Sequence, residues 1–193
     1  MTTRILLAAF AVLLAAFAFA ADVLAQGRLD PRAIAGVYKS RFQNGLVTGE
    51  TYRSEDILEL VPLSPDKVYF RAHIEFYNGH QCSLWGVARV AGPELVYREA
   101  TKARTFGAAA CLLRITRIGK SIRLADDDGS CKAYCGARGS FNNDTFPVAS
   151  RRPIRYMRRL KASGQFRDAL DEFKQSGAAS AADRPRQFGP PDL

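Results

Sequence analysis

Four cysteines and two histidines carry the strongest intrinsic chemistry in this 193-residue chain: Cys82, Cys111, Cys131, Cys135, His73 and His80. An even cysteine count allows two disulfides, a zinc site or a redox pair. Zinc requires ligands at short paired spacings, and only Cys131 and Cys135 have one. Their C-x-x-x-C loop is one residue longer than the thioredoxin motif, and no βαβ pattern surrounds it. Two structural disulfides are therefore expected. Sequence alone leaves three connectivities open. We favour Cys82 with Cys111, both at strand ends, and Cys131 with Cys135, which share one glycine-containing loop.

Neither histidine comes with a partner that spacing identifies. His73 falls on the outward parity of its strand and His80 flanks a turn, so they need not converge. A Cys-His pair between His80 and Cys82 would need a free thiol, which a disulfide removes. Carboxylates such as Glu55, Asp56, Glu59 and Glu75 could converge in the fold without any trace in their spacing. Asp126-Asp127-Asp128-Gly129 lacks the spaced ligands and closing Glu of a calcium loop and reads as a tight acidic hairpin turn. Cys135-Gly136-Ala137-Arg138-Gly139 could form a rigid anion-binding turn in which Arg138 reaches a carboxylate or phosphate. The plainer reading is that its glycines permit sharp bends beside a disulfide. No motif points to a metal or a cofactor. With no nucleophile, base and acid in view, an enzyme ranks below a binding protein.

The N-terminus decides the compartment. One positive charge in residues 1–4, an unbroken apolar run over 5–20, and Ala18, Ala20, Ala21 and Ala25 match the three regions of a secretory signal, so the segment is expected to be removed after Ala20 or Ala25, with a retained membrane anchor as the alternative. No second apolar run follows, and the mature chain is expected to have no transmembrane span and to be periplasmic or secreted. Charge is uneven along it. Residues 21–150 hold 17 basic and 14 acidic side chains, whereas residues 151–174 hold eight basic and three acidic, a net +5. Export argues against nucleic acid as a partner. An anionic envelope surface, lipid headgroup or acidic polysaccharide, fits the basic segment through long-range electrostatics, the plainer reading being an Arg-rich helix face that is simply solvated.

The elements that must position these residues are mostly strands. Asp30-Pro31 predicts a short helical lead-in, with Asp as N-cap and Pro at the first position. Period-two alternation then predicts strands near 36–42, 56–61, 68–77, 81–91, 94–100, 111–118, 122–125 and 138–141. In the third, Val68, Phe70, Ala72, Ile74 and Phe76 mark the inner row. Asn78-Gly79 between two such runs signals a type I′ hairpin, which needs positive φ at both central residues. The fold class is mainly β: an antiparallel up-and-down barrel of about eight strands, the closed form removing exposed edges, with a two-sheet sandwich as rival. After residue 150 the period changes. Ile154, Met157, Leu160, Phe166, Leu170 and Phe173 predict two short amphipathic helices joined near Ser163-Gly164. The domain reading is a signal peptide at 1–25, a disulfide-bearing barrel at 26–150, a basic helical appendage at 151–175 and a disordered tail at 176–193.

Two stretches, Asn78-Gly79-His80-Gln81-Cys82 and Asp128 to Gly139 with its Cys135-Gly136-Ala137-Arg138-Gly139 ending, resemble a group of uncharacterised exported proteobacterial β proteins. The resemblance spans about residues 35–160 and implies a secreted, disulfide-bearing β domain without implying an activity. Gly36-Val37-Tyr38 is similar to the Gly-x-Trp entry of lipocalin- and avidin-like barrels, with Tyr in place of Trp.

Two functions follow as expectations. One is docking on an anionic surface through Arg151, Arg152, Arg155, Arg158, Arg159 and Lys161. The other is carriage of a small apolar ligand in a barrel lined by Val68, Phe70, Ala72, Ile74 and Phe76.

Overall fold

Alternation from Gly36 onward builds eight antiparallel strands, hydrogen-bonded strictly in chain order. They are β1 (Gly36–Gly45), β2 (Thr51–Ser64), β3 (Lys67–Glu75), β4 (Gln81–Ala91), β5 (Glu94–Arg98), β6 (Leu112–Ile118), β7 (Ser121–Ala125) and β8 (Thr145–Pro147). This computed structural model describes residues 27–100, 110–126, 128–142 and 144–182. The expected signal peptide, the 101–109 connection and the end of the tail lie outside the described residues. Asp30 caps a 3-10 turn at Pro31–Ile34, its side chain accepting from the Arg32 N–H, and delivers the chain into β1.

The meander curls into a nearly closed barrel. Its seam is shut by the segment after β8, where Val37 and Arg152 exchange both backbone hydrogen bonds at 2.9 Å. Ser150 extends the closure by accepting the Lys39 N–H at 3.0 Å. Pairing removes the open edge of β1 that an unclosed meander would expose.

Inside, alternate residues from every long strand meet in one core. Val68, Phe70, Ala72 and Ile74 are buried there with Tyr38, Leu58, Leu60, Leu84, Leu95, Leu113 and Ile115, while Phe76 packs against it from the rim. These side chains pack against one another in a single cluster, as in small barrels whose interior is filled by side chains. Tyr97 of β5 lies over Gly86 of β4 and meets Phe70 edge-on, with centroids 5.1 Å apart. Strands β4 and β5 pair over only three residues, from Arg89–Val96 to Ala91–Glu94. Beyond that point the Tyr97 hydroxyl donates to Glu172 at 3.0 Å, and the Ala100 N–H donates to the same carboxylate at 3.1 Å.

Glu172 belongs to the appendage, which comprises α1 (Met157–Lys161) and α2 (Gly164–Ala182). Their apolar faces cover the outer wall of β2, β3 and β4 in a second cluster built on Val61, Tyr69, Val87, Leu160, Phe166 and Ala169. Tyr69 and Phe166 rings stack tilted, 4.7 Å between centroids.

Several expectations need correction. The disulfides join Cys82 to Cys135 and Cys111 to Cys131, not Cys82 to Cys111 and Cys131 to Cys135. A 3-10 turn at Lys132–Tyr134 separates the two loop cysteines and aims them at different strands. Cys131 is held toward β6 by Asp126, whose carboxylate accepts from its N–H and from the Ser130 hydroxyl, both at 3.1 Å. Cys135 is held toward β4 by a bridge to Cys82 and by the Gly136 N–H donating to the Gln81 carbonyl. The last strand lies at Thr145–Pro147 rather than 138–141, because residues 131–139 are committed to these turns. Helix α2 continues to Ala182, through the first part of the stretch expected to be disordered. Arg151 and Arg152 sit on the seam, not on a helix.

One buried carboxyl gives this fold a pH dependence. Asp144, just before β8, has a buried Oδ2 with no hydrogen-bond partner among the described residues. Burial first, then the neighbouring Asp56 charge, push its pKa up to about 7 from an ordinary 3.8. The folded chain then holds a proton that the unfolded chain releases, so this contribution to stability is full below about pH 4 and is lost as pH rises through 7. Asp144→Asn is expected to raise stability at pH 8 by about 1–2 kcal/mol after discounting for solvent screening, or about 3–6 °C in Tm, with no gain at pH 4. Thermal melts at both pH values check this. Parallel pH profiles for the two proteins would disprove the assignment.

Candidate anion-docking surface

The basic residues singled out from sequence reach solvent. Arg151, Arg152, Arg155, Arg158, Arg159 and Lys161 are all exposed. None forms an ion pair with a carboxylate among the described residues. Arg151 donates to the Ala33 carbonyl and Arg152 to the Ala149 carbonyl, so backbone contacts fix two of these guanidinium groups while leaving their charge unneutralised.

What holds the others outward is the fastening of α1 to the wall. Glu59 of β2 is fully buried beneath the appendage and accepts from Arg71 at 2.7 Å and from the Tyr156 hydroxyl. Arg71 also donates to Gln165 of α2 at 3.0 Å. Burial and the adjacent Glu59 carboxylate push the Tyr156 hydroxyl up to about 12, so it remains a donor to Glu59 at any ordinary pH. The Arg159 guanidinium lies 5.4 Å from the Tyr156 ring centroid, a cation-π contact that retains its charge. With Leu160 buried against the wall, Arg158, Arg159 and Lys161 turn away from it.

The seam adds cations that the sequence reading missed. Lys39 and Arg41, outward-facing on β1, line a cleft of about 410 Å³ with Ser150 and Arg152. Glu55 bridges the first two, contacting Lys39 and lying 2.5 Å from Arg41. The Lys39 hydrogen bond, with Arg41 beside it, holds the Glu55 carboxyl below its usual range. Three cations against one carboxylate leave the cleft positive. Strand parity carried the signal: Lys39 and Arg41 alternate with Tyr38 and Phe42, but only the seam brings Arg152 beside them.

Arg138 stands apart from this surface. It is exposed, on a turn whose Gly136 and Gly139 N–H groups are taken by backbone carbonyls. Lys132 Nζ donates to the Gly136, Ala137 and Gly139 carbonyls, so the turn offers acceptors to a cation rather than N–H groups to an anion. A Cβ on Gly139 would lie 2.7 Å from the Cys82 sulfur, which ties that glycine to close packing on the disulfide.

The wall between β3 and β4 brings together residues that spacing did not pair. His73 stands directly opposite Ser83, with Nδ1 2.9 Å from the Ser83 Oγ, and its Nε2 lies 3.5 Å from Glu75 Oε1. A cleft of about 240 Å³ opens beside them, lined by Ile57, Arg71, Ala72, His73, Ser83 and Gln165. His80 lies elsewhere, against Gly136.

Among the described residues no group of three or more His, Cys, Asp or Glu is placed to hold a metal ion, and no helix is long and apolar enough to cross a membrane. No protein family, curated protein or solved structure matches the chain.

Proposed function

We propose that this protein is an exported binding module that docks on an anionic envelope surface. The contact is made by Arg151, Arg152, Arg155, Arg158, Arg159 and Lys161, extended by Lys39 and Arg41 at the seam. The supporting observation is six exposed cations in eleven consecutive positions without a carboxylate partner among the described residues. Two disulfides fit an oxidising compartment and an exported protein. Carriage of an apolar ligand draws no comparable support, since its expected lining is packed into the core.

Each cation near an anionic bilayer contributes about 1 kcal/mol. Arg158→Ala/Arg159→Ala is therefore expected to weaken binding to phosphatidylglycerol vesicles about 30-fold, with phosphatidylcholine vesicles bound weakly by both proteins. Raising salt from about 0.1 M to 1 M shortens the Debye length from about 10 to 3 Å and should release the parent protein. Sedimentation with vesicles reads both. Binding indifferent to salt and to the double substitution would end this reading.

A further inference from the structure

We infer that Ser83, His73 and Glu75 form a nucleophilic acyl-transfer site on the outer wall, suited to short acyl esters. This goes beyond docking and uses none of the docking residues. The three side chains lie on one face of the β3–β4 pair, whose register runs unbroken from Lys67–Arg89 to Glu75–Gln81. That pairing makes their placement rigid, as a catalytic constellation requires.

The roles follow from the neighbours. A carboxylate can only accept, so Glu75, 3.5 Å from Nε2 and beyond a direct hydrogen bond, favours by its charge the tautomer that carries its proton there. Nδ1 is then the acceptor, and the Ser83 hydroxyl at 2.9 Å donates to it. The result is the nucleophile, base and orienting acid of a serine hydrolase, recognised by geometry rather than chain order. Glu75 is steadied in turn by the Ser54 hydroxyl, which donates to its other oxygen at 2.6 Å. The 3.5 Å separation is of the kind that tightens once substrate excludes water.

The adjoining cleft supplies space and donors. At about 240 Å³ it admits a short acyl group rather than a long chain. Arg71 lines it, and so does Gln165, whose Oε1 is occupied by Arg71 and whose amide N–H groups are thereby left for another acceptor. Both are donors on the cleft lining that a developing oxyanion could use.

In the reaction, Ser83 Oγ attacks the acyl carbon while its proton passes to His73 Nδ1. The ester C–O bond breaks, and the leaving alcohol takes that proton. Water then attacks the acyl-serine, giving up its proton through His73. The carboxylic acid departs and the Ser83 hydroxyl is restored, with no oxidant or further reactant.

The disulfide-bonded protein is to be incubated with p-nitrophenyl butyrate and, separately, with a fluorophosphonate probe read by peptide mass spectrometry. Expected are turnover and a one-to-one adduct on Ser83, both abolished by Ser83→Ala. Loss of the base is worth about 10²–10⁴-fold, so His73→Gln should lower both rates by at least about 100-fold. Each variant should keep the far-UV circular dichroism and melting transition of the parent, because these side chains lie on the wall and not in the core. An adduct on other serines only, or turnover that survives Ser83→Ala or His73→Gln in a folded protein, would overturn the proposal. Vesicle binding should be unchanged in all three proteins, which separates this test from that of the docking surface.

Discussion

Replacing Cys82 and Cys135 together by alanine is expected to remove about 4 kcal/mol of stability, against about 3 kcal/mol for Cys111 with Cys131. The difference comes from loop length. The first bridge closes 53 residues and the second 20, and the unfolded-chain entropy that a cross-link removes grows with the logarithm of that number. For a domain of this size the larger loss corresponds to about 8–16 °C in Tm. Both bridges lie in or against the core, so alanine also leaves small voids, and these add to the cost in either case. Urea unfolding of the two double variants gives the ranking, and non-reducing peptide mapping of the parent gives the pairing directly. A peptide joining Cys82 to Cys111, or a larger loss from the shorter loop, would contradict the structure.

Gly86→Ala is expected to cost about 3 kcal/mol, at the upper end for one added methyl group. A Cβ at that position would lie 2.3 Å from Tyr97 Cε2 and 2.7 Å from its Cδ2. The ring has little room to give way, held at one end by its hydroxyl bond to Glu172 and along its edge by Phe70. Tyr97→Leu removes the clash, so the double variant Gly86→Ala/Tyr97→Leu should be more stable than the sum of the single losses predicts. Denaturant midpoints for the four proteins test this. Additive losses would show that the ring moves freely and that Gly86 has another role.

The hairpin at Asn78-Gly79 shows how far the sequence could be read and where it misled. The dipeptide correctly marked a reversal with positive φ at both residues, 61° at Asn78 and 72° at Gly79. A two-residue turn would have put His73 opposite Leu84, one facing out and the other in, which strand parity forbids. The chain resolves the conflict with a three-residue connection, Tyr77–Gly79, flanked by the Phe76 N–H donating to the His80 carbonyl. That one extra residue places Ser83 beside His73. Parity of the two hydrophobic rows contained the answer, and the turn motif obscured it.

Elsewhere, legibility followed the range of the interactions. Local alternation located β3, β4, β6 and β7, and the helical spacing of Leu160, Phe166 and Leu170 located the appendage. The disulfide pairing, the pairing of Arg152 with Val37 and the meeting of Glu59 with Tyr156 join residues tens of positions apart or more, or depend on a turn whose direction no short motif encodes. The basic segment was visible as composition. Its continuation through Lys39 and Arg41 required the seam.

That seam has a thermodynamic corollary. Arg152 pairs its backbone with Val37 while its side chain borders the positive cleft, so the cleft exists only in molecules whose barrel is shut. Any anion held there binds the native state and not the unfolded one, and by mass action raises the free energy needed to open the wall. Were an anion bound there, occupancy and closure would be two readings of one equilibrium: opening the seam would release the anion, and anion binding would favour molecules whose seam is shut.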